Sequence, residues 1–178
     1  MNLPHPLYTV AYLDVSISAR AFIDSFRQEH DPQVDVVAPH FTMVFGCKAV
    51  PETAYNEHIA SVACRTRAIR FHCRYAMVGA DDMDDTAYVF LVPDEGNSSI
   101  SLLHDRLYTG ILAKHLRLEF PFIPHITVAS TKDWSRAKSL RDSLNSSGVD
   151  MEGTLRSLTV GRLKDGKLQF VAEYRLAV

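Results

Sequence analysis

The same order of elements is written twice along the chain. Side-chain periodicity predicts a strand over residues 7–13 (LYTVAYL), a helix over 16–29, a strand over 40–45, a helix over 51–65 and a strand over 69–78. A further strand, 86–92, follows the acidic run Asp81-Asp82-Met83-Asp84-Asp85, read as a solvated hairpin turn. The order then returns: a helix over 98–116, a strand over 125–129, a helix over 135–144, and strands over 154–163 and 168–176 joined at Asp165-Gly166. That dipeptide suits a two-residue hairpin. Strand–helix–strand–helix–strand therefore occurs roughly once per half. No Gly/Ser-rich linker separates the halves, so 1–178 is expected to be one α+β domain of two similar lobes.

Several faces follow from the same periodicities. In the first helix Ala21, Phe22 and Phe26, with Ile23 beside them, fall near one side, and Asp31-Pro32 ends it. Pro51 fits the first position of the second helix. Over 69–78, Ile69, Phe71, Cys73, Tyr75 and Met77 share one face and Arg70, His72 and Arg74 the other. The helix over 98–116 buries a stripe of Ile100, Leu103, Leu107, Ile111 and Leu112, with Asn97 or Ser98 as its cap.

Composition narrows the function. The net charge is −2 with His neutral, which argues against a broad basic surface for long nucleic acid but leaves room for a local phosphate pocket. The three cysteines, Cys47, Cys64 and Cys73, form no C-x-x-C pair, so neither a disulfide framework nor a zinc ribbon is expected. The N-terminal MNLPHPLYTVAYLDV lacks a basic n-region and a long apolar run, and no stretch suits a membrane span. The expectation is therefore a monomer in a reducing, cytoplasmic setting, without a cofactor.

Chemistry concentrates in two look-alike segments. Pro39-His40-Phe41-Thr42-Met43-Val44 and Pro124-His125-Ile126-Thr127-Val128-Ala129 share the pattern Pro-His-apolar-Thr-apolar-apolar. His-x-Thr alone is a weak signal in a chain with 8 His. The shared proline, the shared strand entry and the matching place in each half raise it. In a strand, side chains at i and i+2 share a face, so His40 projects with Thr42 and His125 with Thr127. If two lobes present these sets to one cleft, two imidazoles and two hydroxyls converge. One neutral imidazole can then take a proton from an attacking water while the other, protonated, gives one to a leaving oxygen. An unperturbed pKa of about 6.5 makes both states reachable. The hydroxyls can hydrogen-bond the non-bridging oxygens of a phosphodiester.

The stretches PHFTMVFG and PHITVAS, each opening a strand in a bilobed chain of this length, resemble the 2H phosphoesterase superfamily. Asp31-Pro32 followed by VDVVAPHFTMVF is similar to its 2′-5′ RNA ligase-like, or RNA 2′,3′-cyclic phosphodiesterase, branch. The resemblance implies two facing antiparallel sheets in a V with helices on the outer faces. It implies hydrolysis, without metal, of 2′,3′-cyclic phosphates or 2′-5′ linkages on small nucleotides or RNA ends. By motif match, His40, Thr42, His125 and Thr127 are the implied catalytic set. Which histidine is base and which acid depends on how the substrate lies. Relatives often place a basic residue directly after the second motif's strand. Here Ser130 and Thr131 intervene, and Lys132 is the nearest cation.

Secondary candidates for substrate binding are weighed against plainer roles. Arg70, His72 and Arg74 can line a phosphate-attracting cleft or simply form an exposed polar face. Tyr8 with Tyr12, and Tyr88 with Phe90, share strand faces and can stack a base or pack the core. Phe120 and Phe122 can form a rim or belong to the core. His104 and His115 suit a surface or helix-packing role. Two other functions stay open: a nucleotide-binding module that keeps the pocket without turnover, and a metal-dependent hydrolase, for which no ligand spacing completes a site.

Overall fold

A computed structural model describes residues 5–80 and 85–178, so the acidic turn, Asp85 apart, lies outside the described residues. Alternation decides most of the strands. Phe41 and Met43 on β3 (His40–Cys47) and Ile126 and Val128 on β6 (Ile126–Thr131) are buried, and the residues between them turn the other way. The remaining elements are β1 (Leu7–Tyr12), β2 (Asp14–Val15), α1 (Ile17–His30), α2 (Glu52–Ala63), β4 (Ile69–Ala80), β5 (Ala87–Glu95) and α3 (Asn97–Leu107). A 3₁₀ turn (Gly110–His115), α4 (Trp134–Ser147), β7 (Met151–Leu155), β8 (Ser157–Lys164) and β9 (Lys167–Arg175) complete the chain.

The strands form one nine-stranded sheet among the described residues, in the order β2-β7-β4-β5-β6-β3-β1-β8-β9, with every named ladder antiparallel. The two sheets implied by the family resemblance are the two ends of this sheet. They join where β3 meets β6, through the single register pair Phe41 with Ile126. Helices α1 and α4 pack on the β7–β6 end, α2 packs on β8 and β9, and α3 bridges β3 to β5.

The lobes differ from the halves of the sequence. Each lobe draws strands from both halves: β1 and β3 lie with β8 and β9, whereas β2 crosses to pair with β7 beside β4. The expected strand over 154–163 is accordingly two strands, β7 and β8, that leave Arg156 in opposite lobes.

Other local differences have physical causes. In α1 the buried residues are Ile23 and Arg27, while Phe22 is exposed. Pro51 caps α2 rather than opening it, and Gly96, not Asn97 or Ser98, precedes α3. Gly110, at φ 53°, breaks the expected long helix after Leu107 and turns Ile111 outward. In β4 the ladder to β5 slips between His72 and Tyr75, so Ala76 is buried and Tyr75 exposed. There the side chain of Asn145 on α4 replaces strand partners: its Oδ1 accepts from Ala76 N–H at 2.7 Å and its Nδ2–H donates to Ala76 O at 3.0 Å. Asp165 and Gly166, at φ 52° and 72°, make the hairpin turn that the dipeptide suggests.

Phe41 stands at the junction, fully buried and edge-on to Phe71 of β4 at 5.2 Å between ring centres. Phe41→Ala is expected to cost about 3–5 kcal/mol in urea unfolding. Phe170→Ala, on exposed β9, should stay within about 0.5 kcal/mol. Equal losses at the two positions would contradict this placement of the core.

Candidate active site

The junction strands carry both Pro-His-apolar-Thr segments. An antiparallel pair has a local twofold axis between its paired residues. The pair Phe41–Ile126 puts that axis between the two motifs. One step either way, the same register sets His40 opposite Thr127 and Thr42 opposite His125. Because Phe41, Met43, Ile126 and Val128 are held in the core, His40, Thr42, His125 and Thr127 all project to the opposite face, where each is half-buried.

Both imidazoles are oriented in the same way. His40 Nδ1–H donates to Ala38 O at 2.8 Å, and His125 Nδ1–H donates to Ile123 O at 2.7 Å. A carbonyl only accepts, so each Nδ1 carries a proton and each neutral ring presents a bare Nε2. The proline between carbonyl and histidine explains the repeated geometry. Residues before a proline are held extended, which aims the carbonyls of Ala38 and Ile123 across Pro39 and Pro124. On the first ring, Thr42 Oγ1–H donates to His40 Nε2 at 3.0 Å.

Removal from water dominates the electrostatics. Burial pushes His40 down to about 4; the Ala38 carbonyl opposes this, Arg27 and His125 lower it further, and Asp31 raises it. Burial also lowers His125, against the Ile123 carbonyl. Charge on one imidazole disfavours charge on the other, so the ligand-free pair is neutral at pH 7 and binds its first proton below the usual histidine range.

Aromatic side chains flank the pair. Tyr12 meets His40 edge-on at 6.3 Å, and Phe90 lies against His125 at 3.9 Å with Tyr88 near-parallel to Phe90 at 5.9 Å. Phe90 rests on Gly79, where an added Cβ would come within 2.1 Å of the ring. Burial raises the Tyr8 and Tyr12 hydroxyls, which stay un-ionised. Lys132 follows directly on the end of β6.

Arg70, His72 and Arg74 are not brought to the histidines. His72 lies five residues along β4 from Met77, the register partner of Phe90, or roughly 16 Å at strand rise. His72 and Arg74 are occupied by carboxylates instead. His72 pairs with Asp150, and Glu95 and Glu152 stand at 3.8 and 3.7 Å; Arg74 donates to Asp94 and Glu95 at 2.7 Å each. Carboxylates on β5, on β7 and before β7 thus take up His72 and Arg74 on the polar face that alternation alone offered for phosphate.

Sequence reasoning missed the orienting carbonyls, although the paired prolines were their signal. It also missed the buried Arg27–Asp31 pair and the stack of buried His104 on Phe122 at 3.6 Å, which places Phe122 against α3.

The model of the 2′-5′ RNA ligase superfamily matches residues 14–167. The chain belongs to that superfamily. With it comes the coarse activity, that of a 2H phosphoesterase. A Geobacillus sp. (strain WCH70) protein with a provisional phosphoesterase name is 27% identical over 142 residues, 78% of this chain and 72% of its own. One from Geobacillus kaustophilus (strain HTA426), similarly named, is 24% identical over 137 residues, 75% of each chain. Escherichia coli LigT complexed with 3′-AMP superposes with a TM-score of 0.56 at 16% identity, covering 98% of this chain and 99% of LigT. Kluyveromyces marxianus Usb1 with uridine monophosphate gives 0.56 at 10% identity, covering 97% and 99%. These structures share the fold of this 2H phosphoesterase. No helix among its described residues is long and apolar enough to cross a membrane.

The lowered His40 has a consequence for stability. Its folded pKa, about 4, lies below the unfolded value of about 6.5. The neutral ring therefore stabilises the fold above pH 6.5, and that contribution is lost as pH falls towards 4. In urea unfolding, His40→Asn should lose less stability than wild type between pH 6.5 and 4.5. An identical loss in both proteins would contradict the shift.

Proposed function

We propose that the protein is a metal-independent phosphodiesterase that opens 2′,3′-cyclic phosphates, or cleaves 2′-5′ linkages, on small nucleotides or RNA ends. One observation carries the reading: both imidazoles have Nδ1–H tied to a backbone carbonyl, so two unprotonated Nε2 atoms, that of His40 held only by the Thr42 hydroxyl, can exchange protons over one junction. In the reaction one neutral Nε2 takes a proton as water oxygen bonds to phosphorus. The other imidazole, protonated, gives its Nε2 proton to the ribose oxygen as the P–O bond breaks. Water is added across that bond, and the histidines exchange protonation states and reset through solvent. Thr42 turns its hydroxyl from His40 to a non-bridging oxygen, and Thr127 offers its hydroxyl to another beside His125.

The electrostatics support an anionic substrate. A phosphate between two neutral imidazoles favours protonation of one of them, so binding itself supplies the acid. Tyr12 on one side, and Phe90 with Tyr88 on the other, offer faces for a base, and Lys132 a cation at the rim. We assign Arg70, His72 and Arg74 no part in this. The reading includes a monomer in a reducing, cytoplasmic setting, consistent with three unbridged cysteines.

Chelator-treated protein is expected to hydrolyse 2′,3′-cyclic nucleotides or a cyclic-ended RNA. His40→Ala and His125→Ala should each lose about 10²–10⁴-fold in kcat, and Thr42→Val and Thr127→Val about tenfold to a hundredfold. Full activity in either folded histidine variant, or activity that chelation abolishes and metal restores, would overturn the mechanism. Nucleotide binding without product from any of these substrates would favour a binding module.

The pH dependence is a separate test. Because both histidines are lowered and repel each other's charge, the singly protonated free pair is most populated below about pH 6.5. Accordingly kcat/KM should peak on the acid side of that value. A maximum above pH 7.5 would contradict the description of the pair.

A further inference from the structure

Arg27 and Asp31 are buried, at 3% and 5% exposure, where α1 gives way to the loop that leads into β3. Arg27 Nε–H donates to Asp31 Oδ2 at 2.8 Å. The guanidinium then reaches forward: Nη2–H donates to Gln33 O at 3.3 Å and to Val37 O at 2.9 Å. Asp31 works on the same loop, its Oδ1 accepting from Gln33 N–H at 3.0 Å. From outside the loop, Leu168 N–H on β9 donates to Val36 O at 3.0 Å. The next carbonyl after Val37 is that of Ala38, which holds His40 Nδ1–H.

A buried ion pair is a poor way to add stability, because desolvation offsets most of the attraction. It is a good way to fix irregular backbone, because a planar guanidinium can satisfy several acceptors in one rigid geometry. Segment 31–37 has no strand to pair its carbonyls in full, and an unpaired buried carbonyl is costly. The charged groups acting on His40 are Arg27 and Asp31 from the end of α1 and His125 from the strand entry opposite.

We propose that the Arg27–Asp31 pair is the positioning device of His40: by holding the carbonyls of Gln33 and Val37 it fixes the Ala38 carbonyl, and so selects the His40 tautomer with a bare Nε2. The inference rests on the reading of His40 as an acid–base group. Neither residue touches substrate; both act through the backbone.

Imidazole ¹⁵N NMR at pH 7 tests it without substrate. In wild type, His40 and His125 should both show the Nδ1–H tautomer. In Asp31→Asn and Arg27→Lys, His40 should shift towards a mixture containing Nε2–H, while His125 stays as it was. In the same variants kcat should fall by roughly tenfold to a hundredfold with KM changed less than about threefold, since misplacement costs turnover more than binding. A folded variant with an unchanged His40 tautomer would overturn the proposal. So would unfolding of both variants, which would assign the pair to the fold as a whole. If wild type has no phosphodiesterase activity but the tautomer responds as described, the reading of the reaction fails and the positioning stands.

Discussion

One antiparallel contact organises this protein. β3 and β6 meet at Phe41 and Ile126, and the core claims both of those side chains. Everything chemically interesting follows from that burial. Strand alternation throws His40, Thr42, His125 and Thr127 to the other face, and the local twofold of the ladder relates one set to the other. Two lobes with interleaved strands give the contact rigid support, with α3 and the Phe41–Phe71 ring pair tying them together.

The second level is the backbone that precedes each histidine. Two i−2 carbonyls, each aimed across a proline, make the two imidazoles equivalent in tautomer. Their environments then differ. His40 has Thr42, Tyr12 and the nearby Arg27–Asp31 pair, whereas His125 lies against Phe90, which is seated on Gly79. Both rings are held neutral by burial. In the proposed reaction a bound phosphate would supply the charge that lets one of them take up a proton.

The motifs were legible because their information is local: a proline, an alternation of two apolar and two polar side chains, and a repeat of the whole. Tyr12, Tyr88 and Phe90 stood out in the sequence only as aromatics sharing a strand face; that they flank the histidines is a product of the fold. What escaped the sequence is long-range. The slip in β4 depends on Asn145, which lies 69 residues away, and it turned Tyr75 from an expected core residue into an exposed one. The neutralisation of His72 and Arg74 depends on carboxylates of other strands and loops whose register no periodicity reveals. The crossing of β2, and the parting of β7 from β8 at Arg156, break the simple match between sequence halves and lobes.

The most direct test of the central claim is to titrate inorganic phosphate into the protein at pH 7 while following the ¹⁵N resonances of His40 and His125. Both rings should respond along one binding curve, with proton density gained at Nε2 and both Nδ1–H groups retained. Phosphate binding that leaves either ring unmoved would contradict a shared site at the β3–β6 junction.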